Sequence, residues 1–272
     1  MSDQFKAKPL PYTMGNSGDL IKHGMLAEFV DCYGEYFSTR LNYFDPFGGR
    51  PWQQPMHPIV KQRIARLKPC SLKLVQSQKY YGSGHIVNEI SKKNGGRIQV
   101  YSSDRDPDAR HDLLVSGIRP IRLNQFSTED AYSILNVCLE TERQHLILLD
   151  PFYELERINQ TILPKIIPFV QNNNCYVMLF VLYHAPEISL WHNFLCIQES
   201  LTRKNVNVIA LDCQANSNST LPSESKYSSY VALYAPKNQE NEFISKLLDN
   251  ICQYAYNLQA ALKTSIDFSY HI

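Results

Sequence analysis

The first strong pattern of apolar and polar positions along the chain has the period of a helix. Ile21, Met25, Phe29 and Tyr33 recur four residues apart and therefore share one face of a helix predicted over residues 19 to about 36. A turn-forming run at 15–18 precedes it and predicts the helix start. The pattern indicates an amphipathic helix at the beginning of the chain.

After this helix, predicted strands and helices alternate. The strands are expected at 41–45, 97–102, 118–123, 145–150, 175–183 and 206–211, and the helices at 57–68, 84–93, 107–116, 129–141, 154–171 and 187–203. This alternation is typical of a parallel sheet with helices on both faces. The runs 146–149 and 177–182 are continuously apolar, which predicts central strands that are covered on both sides.

The end of the predicted sheet breaks the alternation. Strand 206–211 and the next predicted strand, 227–234, are joined only by a Ser/Asn-rich connection, so we expect these two strands to be antiparallel. A final helix at 241–262 would cover the remaining face. The fold class predicted is α/β: a single Rossmann-like domain over 1–272 with a mostly parallel, seven-stranded sheet and a reversed last strand.

Composition agrees with one such domain and argues against a membrane protein, a secreted protein and a metal site. The chain has 272 residues, 44% of them hydrophobic, and no run approaches eighteen consecutive apolar residues, so we expect a cytoplasmic protein without a membrane contact. The first twenty residues do not resemble a signal peptide. Seven cysteines are scattered singly without CxxC pairs, so no metal site is expected. A monomer is favoured.

The charge is segregated along the chain. No acidic residue lies between Asp45 and Glu89, whereas the rest of the chain has 20 basic and 26 acidic residues. The basic residues of this acid-free stretch are Arg50, Lys61, Arg63, Arg66, Lys68, Lys73 and Lys79. Such a segment suits contact with nucleic-acid phosphates, and we interpret residues 50–80 as a short basic helical insertion. The alternative is a solvated helix face.

The clearest candidate for chemistry follows the buried strand 145–150. Asp150, Pro151 and Tyr153 stand at its carboxyl end, the edge at which open α/β sheets bind ligands. Asp150 could accept one N–H of an amino group and the Pro151 carbonyl the other, while Tyr153 stacks on the ring that carries the amino group. The alternative is that an Asp-Pro pair only ends the strand.

These residues resemble the Asp-Pro-Pro-Tyr motif of amino methyltransferases, with Phe152 in place of the second proline. In addition, residues 15–23, read as Gly-Asn-Ser-Gly-Asp-Leu-Ile-Lys-His, resemble the Gly-Asn-x-x-Asp-x-x-Lys-His entry of the bacterial large-subunit ribosomal RNA adenine methyltransferases of the RlmJ type. Segments 80–84, 104–107 and 150–154 resemble later landmarks of that family in the same order. The resemblance covers about 12–182.

The resemblance implies a class I methyltransferase with S-adenosylmethionine as cofactor. It places Lys22 near the cofactor carboxylate, Asp104 at the ribose hydroxyls, and Asp150 between methyl donor and target base. The full set of cofactor-binding candidates is Lys22, Asp45, Gly48, Gly49, Ser83, Asp104 and Asp150. The substrate-binding candidates are Asn16, His23, Arg63, Arg66 and Phe152. For Lys22 and Asp104 the alternatives are an exposed helix lysine and a turn acid.

The loop after the first strand departs from the family. Where the family has Asp-x-His-Ala-Gly-x-Gly, this chain has Phe47 at the histidine and Pro51 at the last glycine; similar loops occur in three-Cys-motif partner proteins. Three hypotheses follow. The favoured one is methylation of adenine in RNA, the second is methylation of adenine in DNA, and the third is a catalytically silent methyltransferase-like subunit, which Phe47, Pro51 and Phe152 would favour.

Overall fold

The structure is a computed structural model, and it describes residues 13–121, 132–136, 143–151, 155–173, 175–202, 206–237 and 241–271. The helices in these ranges are α1 (Ser17–Tyr36), α2 (Pro58–Arg66), α3 (Ser71–Val75), α4 (Ser83–Lys93), α5 (Pro107–Val115), α6 (Leu155–Arg157), α7 (Leu163–Asn173), α8 (Ile188–Thr202), α9 (Pro222–Lys226) and α10 (Asn241–Leu262). Within the described ranges no helix has both the length and the apolar character needed to span a membrane.

One eight-stranded sheet forms the centre of the molecule. Its strands are β1 (Leu41–Asp45), β4 (Ile98–Ser102), β5 (Arg119–Pro120), β6 (Gln144–Leu149), β7 (Tyr176–Tyr183), β8 (Val206–Cys213), β9 (Ser228–Pro236) and β10 (Ile266–His271). Their order is β10-β8-β9-β7-β6-β1-β4-β5. Strands β9 and β10 run against the other six, so this is a mixed α/β fold with a large, mostly parallel sheet.

The sheet confirms one expectation about its end and corrects another. Strands β8 and β9 pair antiparallel, as the short polar connection predicted. The prediction of seven strands was wrong, because β10 adds an eighth that pairs antiparallel with β8. Apolar residues alternate with polar ones at 266, 268 and 270, the pattern of a half-buried edge strand.

Two hydrophobic cores lie on opposite faces of the sheet. Leu146 and Leu148 belong to the core beneath α1, α4 and α10, whereas Ile147 and Leu149 belong to the core beneath α7 and α8. Because successive side chains of a strand point to opposite faces, the continuous apolar run of β6 supplies both cores. Helix α1 is almost entirely buried, so its position relative to the sheet is fixed by packing.

The chain between β1 and α4 carries the basic segment. It forms α2, α3 and a separate two-stranded antiparallel sheet of β2 (Trp52–Gln53) and β3 (Tyr80–Tyr81). This small sheet pairs the beginning of the segment with its end. Helix α2 also packs on α10, so the segment lies against the main fold.

Some predicted elements differ from those observed. Within the described part of the strand expected at 118–123, only β5 is observed, and residues 122 and 123 lie outside the described residues, as does most of the helix expected at 129–141. The helix expected at 154–171 is divided into α6, a π-helical stretch (Ile158–Ile162) and α7. Prolines at 164 and 168 lack the N–H that would bond to the preceding turn, which explains an irregular helix here.

Candidate active site

A cleft opens where α1 begins beside the carboxyl ends of β6 and β7. Since six strands run in one direction, Asp45, Asp104 and Asp150 all lie at the same edge of the sheet, each at or just after a strand end. The residues that line the cleft are Asn16, Ser17, Asp19, Lys22, Asp150, Phe180, Leu182, Ser223, Glu224, Tyr227 and Ser229. Ligands of open α/β sheets bind at this edge.

The cleft brings Lys22 of α1 together with Asp150 at the end of β6. The Lys22 Nζ lies 2.5 Å from Asp150 Oδ2 and 3.2 Å from Asp19 Oδ1, and it stands 5.0 Å from the centre of the Phe180 ring. Both partners of the ion pair are buried. Burial raises the pKa of Asp150, and the adjacent ammonium of Lys22 opposes this rise. Lys22 therefore favours the charged, hydrogen-bond-accepting form of Asp150.

The start of α1 explains most of the Gly-Asn-x-x-Asp-x-x-Lys pattern. Asn16 caps the helix by accepting from the Asp19 N–H at 3.0 Å, and Asp19 Oδ2 accepts from the Gly15 N–H at 2.8 Å. Gly15 has a φ of 84°, and a Cβ there would lie 2.4 Å from Val60 of α2. The reciprocal capping bonds hold Asp19 beside Lys22, so these residues build the site from local structure.

Asp45 ends β1 in a fully buried position. Its carboxylate accepts hydrogen bonds from the Tyr43 hydroxyl at 3.1 Å, from the Phe47 N–H at 3.2 Å and from the Ser83 hydroxyl. Burial raises the pKa of Asp45 to about 6; the charge of Asp150 adds to the rise, and Lys22 opposes it. Ser83 thus serves to bind Asp45 at the first turn of α4.

Asp104 holds the loop after β1 against the tip of β4. Its Oδ2 accepts from the Gly49 N–H at 3.0 Å and its Oδ1 from the Asp106 N–H at 2.8 Å. The Gly48 N–H donates to the Ser103 carbonyl at 2.8 Å, and a Cβ on Gly48 would lie 1.8 Å from Ser102 Oγ. Burial raises the pKa of Asp104. Only a glycine permits this approach of loop and strand tip.

One buried polar atom beside this loop has no hydrogen-bond partner among the described residues. Ser103 is 2% exposed, and its Oγ is unsatisfied there. Buried hydroxyls normally find a partner. The Ser103 N–H donates to the Asp45 carbonyl at 3.0 Å, and Ser103 directly precedes Asp104; Asp45 and Asp104 are positions expected to contact a cofactor.

The structure places His23 away from the cleft. It is 3% exposed, its Nδ1 lies 2.9 Å from the Tyr80 hydroxyl, and the two rings are stacked at 5.7 Å. Burial lowers the pKa of His23 to about 3, so the ring is neutral. In this position His23 joins α1 to β3 and does not line the cleft.

The two arginines expected to contact substrate both belong to α2 but differ in burial. Arg63 is buried and forms a bidentate ion pair with Glu224, at 2.5 and 2.7 Å, so its guanidinium is not presented to a phosphate. Arg66 is exposed. The other exposed basic residues of this region are Lys61 and Lys68.

Of the remaining predicted site residues, the structure describes Asn16 and Pro151 but not Phe152 and Tyr153. Asn16 lines the cleft, and Pro151 is buried directly after Asp150. Phe152 and Tyr153 lie outside the described residues. Phe47, which stands at the family's histidine position, packs edge-on against Tyr132 at 5.5 Å. In the described ranges no group of three or more His, Cys, Asp or Glu side chains could hold a metal ion.

Sequence reasoning missed the wall of the cleft that α9 forms. Ser223, Glu224 and Tyr227 come from the β8–β9 connection, for which the sequence predicted only a polar link between antiparallel strands. Its polar composition gave no sign that Glu224 is 3% exposed. The partners that bury it come from α1 and α2, far away in sequence.

Comparison with known proteins gives a fold and no family. No protein-family model matches the sequence, and no curated protein does. Among solved structures, protein LPL1258 from Legionella pneumophila str. Philadelphia 1, which carries the family designation DUF519, is 17% identical with a TM-score of 0.59 over 94% of this chain and 97% of its own. A proposed methyltransferase from Thermoplasma acidophilum is 6% identical with a TM-score of 0.32, over 74% of this chain and 69% of its own. The first likeness shows that the overall fold is shared.

Proposed function

We propose that this chain is an S-adenosylmethionine-dependent methyltransferase that acts on the exocyclic amino group of adenine in nucleic acid, with RNA as the favoured substrate. The observation that carries the proposal is the contact of Lys22 with Asp150 in a cleft at the carboxyl edge of the sheet. An Asp-Pro pair that only ended a strand would not need a buried cation from a helix 128 residues away.

The fold supports the class of enzyme. Strand β9 runs in reverse between β7 and β8, and the edge strand β10 is reversed as well, whereas the other six strands are parallel to one another. A mostly parallel sheet with such a reversed strand is the layout of class I methyltransferases, to which the motifs at 15–23 and 150–153 are also similar. Because one fold serves many functions, the proposal depends on the residues at the strand ends.

The residues at the strand ends fit the cofactor in chemical type. Lys22 offers a cation to a carboxylate, and Asp104, just beyond β4, offers acceptors to sugar hydroxyls. The unsatisfied hydroxyl of Ser103 stands beside Asp104 and would gain a partner when a polar ligand binds. Bound S-adenosylmethionine would supply an electrophilic methyl group.

The chain's own contribution is to hold the target nitrogen. Asp150 accepts one amino N–H and the carbonyl of Pro151 accepts the other, which directs the nitrogen lone pair toward the methyl donor. Lys22 keeps Asp150 charged in a buried place and so keeps it an acceptor. Positioning supplies most of the rate in a direct transfer of this kind, because the reacting groups meet in one orientation.

The exposed basic residues of α2 and of the turn after it support a nucleic-acid substrate. Lys61 and Arg66 of α2 and Lys68 just beyond it are exposed, and no acidic residue of the same segment neutralises them. The buried Arg63 of α2 reaches the cleft wall, so an RNA strand bound to the exposed residues would pass close to the cleft. A target base there would be single-stranded or flipped out of its helix.

The first experiment is calorimetric titration with S-adenosylmethionine. We expect saturable binding; no heat at millimolar cofactor would remove both methyltransferase hypotheses and leave the silent binding subunit. If the cofactor binds, transfer of tritiated methyl groups to total RNA and to genomic DNA distinguishes the two substrates.

The second experiment tests the role of Asp150. We expect Asp150→Asn to lower methyl transfer by at least about 100-fold without loss of the fold, which circular dichroism checks. Asp212→Asn is the matched control, because Asp212 is another acid at a strand end and bonds to the Tyr183 hydroxyl at 2.9 Å. It should leave transfer within a few-fold of the unmodified chain. Equal activity of both variants would refute the role of Asp150.

A further inference from the structure

The wall that α9 forms along the cleft is tied to the basic insertion by one buried side chain. Helix α9 supplies Ser223 and Glu224 to the cleft lining, and Tyr227 follows directly after it. Glu224 points away from solvent, with its side chain 2% exposed, and pairs with Arg63 of α2, whose side chain is 9% exposed. The two residues are 161 positions apart in the chain.

The carboxylate of Glu224 has all its acceptor sites filled. Oε1 accepts from Arg63 Nη1 at 2.5 Å and from the Ser17 N–H at 2.6 Å. Oε2 accepts from Arg63 Nη2 at 2.7 Å and from the Ser219 hydroxyl at 2.5 Å. A carboxylate has about four such sites, so Glu224 cannot also bind a substrate group. Its contribution is to fix the wall in place.

The other contacts of the wall are mostly local. The Glu224 carbonyl accepts from the Asn216 N–H at 2.8 Å, and the Tyr227 N–H donates to the Ser223 carbonyl at 3.0 Å. Leu221, 5% exposed, anchors the segment in apolar surroundings. A helix of five residues is not stable alone, and the bonds of Glu224 to α1 and α2 attach α9 to distant parts of the chain.

The same ion pair reaches the helix that carries Lys22. Ser17 is the first residue of α1, and its N–H is one of those that have no partner inside the helix. Glu224 therefore joins three elements at one point: the insertion helix α2, the start of α1 and the wall α9. Movement of α9 would leave the α1 amide and the Arg63 guanidinium without their acceptor.

We propose that Arg63 and Glu224 are positioning residues that latch α9 over the cleft, so that the basic insertion determines how the substrate nucleotide is held. The proposal rests on the proposed function only for its kinetic part. Neither residue touches the reacting atoms; both act through the wall that includes Ser223 and Tyr227.

Hydrogen–deuterium exchange read by mass spectrometry tests the latch directly. In Arg63→Met we expect the amides of 217–227 to exchange at least about tenfold faster, read at short exchange times over which β6 and β7 are still protected. Glu224→Gln should give the same result and serves if Arg63→Met does not fold. The matched control is Lys61→Met, which removes an exposed charge two residues earlier on α2 and should leave exchange at 217–227 unaltered.

Kinetics separates a positioning role from a merely stabilising one. Arg63→Met should raise KM for RNA several-fold and change kcat little, since Lys22 and Asp150 are untouched, and Arg63→Lys should restore part of the loss. Unchanged exchange at 217–227 in both latch variants would overturn the proposal, as would an equally large acceleration of that exchange in Lys61→Met or a fall in kcat at constant KM in Arg63→Met. If the unmodified chain transfers no methyl group, the proposed function fails, and the exchange comparison still decides whether the latch exists.

Discussion

Two buried ion pairs stand along one cleft, and they differ in how completely their carboxylates are used. Glu224 accepts four hydrogen bonds, two of them from Arg63. Asp150 accepts one among the described residues, from Lys22. Both pairs join parts of the chain that are more than a hundred residues apart, yet only Asp150 retains acceptor capacity where the cleft opens.

This difference distinguishes Arg63–Glu224, a pair that fixes the structure, from Lys22–Asp150, a pair that leaves an acceptor available to a ligand. A saturated carboxylate contributes rigidity and has no capacity for a ligand, whereas an incompletely bonded, buried carboxylate costs stability and suits an incoming N–H donor. Burial is the main cause of the raised pKa of Asp150, which means that the charged form is destabilised there. Carboxylates with such perturbed pKa values are typical of functional sites.

The largest expected effect is on stability at the saturated pair. Arg63→Met leaves Glu224 buried without its cation, and we expect the free energy of unfolding to fall by about 3–5 kcal/mol, measured by urea denaturation. Adding Glu224→Gln removes the unpaired charge while an oxygen remains for the Ser17 N–H, so the double variant should regain much of the loss. Simple additivity of the two single effects would show that the residues are not energetically coupled.

The next effect is on methyl transfer, which we expect to depend more on the Lys22–Asp150 pair than on the Arg63–Glu224 pair. Lys22→Met should lower the rate of methyl transfer by at least about 100-fold, because Asp150 would then tend to take up a proton and lose its role as an acceptor. It should destabilise the fold less than Arg63→Met does, since Asp150 can become neutral. Initial rates and urea denaturation on the same variants test both statements, and a fully active Lys22→Met would end the assignment of Lys22 to the site.

The sequence singled out both residues of the Lys22–Asp150 pair, although not their direct contact, and hid the pair of Arg63 and Glu224. Lys22 and Asp150 lie within motifs whose local geometry, a capped helix start and a strand end, is visible in the residue order. Arg63 was assigned to a phosphate because it lies among basic residues. The sequence nevertheless indicated its position. The apolar residues at 60, 64 and 67 have the spacing of a buried helix face, and position 63 belongs to the same face, all four residues being buried.

The fold shows the same division between local and distant information. The alternation of β1 to β9 with helices follows from local periodicity, and the antiparallel β8–β9 pair follows from a short connection. Strand β10 was missed although its alternation is regular, because no local feature of the sequence indicates that it pairs with β8. The burial of Glu224 depends on contacts with Ser17 and Arg63, which no local pattern contains.

A smaller effect concerns the pH dependence of stability at Asp45, which lies at the end of β1. The pKa of Asp45 is raised to about 6 from 3.8, so the native state binds more protons than the unfolded state between about pH 4 and 6. Stability from this group is therefore lost as the pH rises through that window, by about 2 kcal/mol.

Asp45→Asn tests this assignment with a side chain of the same shape. The amide oxygen can still accept from the Phe47 N–H, and the amide nitrogen can donate to the hydroxyls of Tyr43 and Ser83. Urea denaturation from pH 4 to pH 7.5 should show a shallower decline for the variant than for the unmodified chain. Parallel curves would mean that Asp45 is not the group that titrates there.

The smallest expected effect distinguishes the exposed arginine of α2 from the buried one. If the exposed face contacts phosphates, Arg66→Ala should weaken RNA binding and reduce the slope of log K against log salt by roughly 0.7 to 0.9. Arg63→Ala should leave that slope unchanged, because its guanidinium is held by Glu224 and releases no phosphate counterion. Fluorescence anisotropy of a labelled RNA at several salt concentrations measures both slopes. A slope altered by Arg63→Ala and not by Arg66→Ala would mean that Arg63 leaves Glu224 when RNA binds, and the saturated pair would then be part of the binding surface.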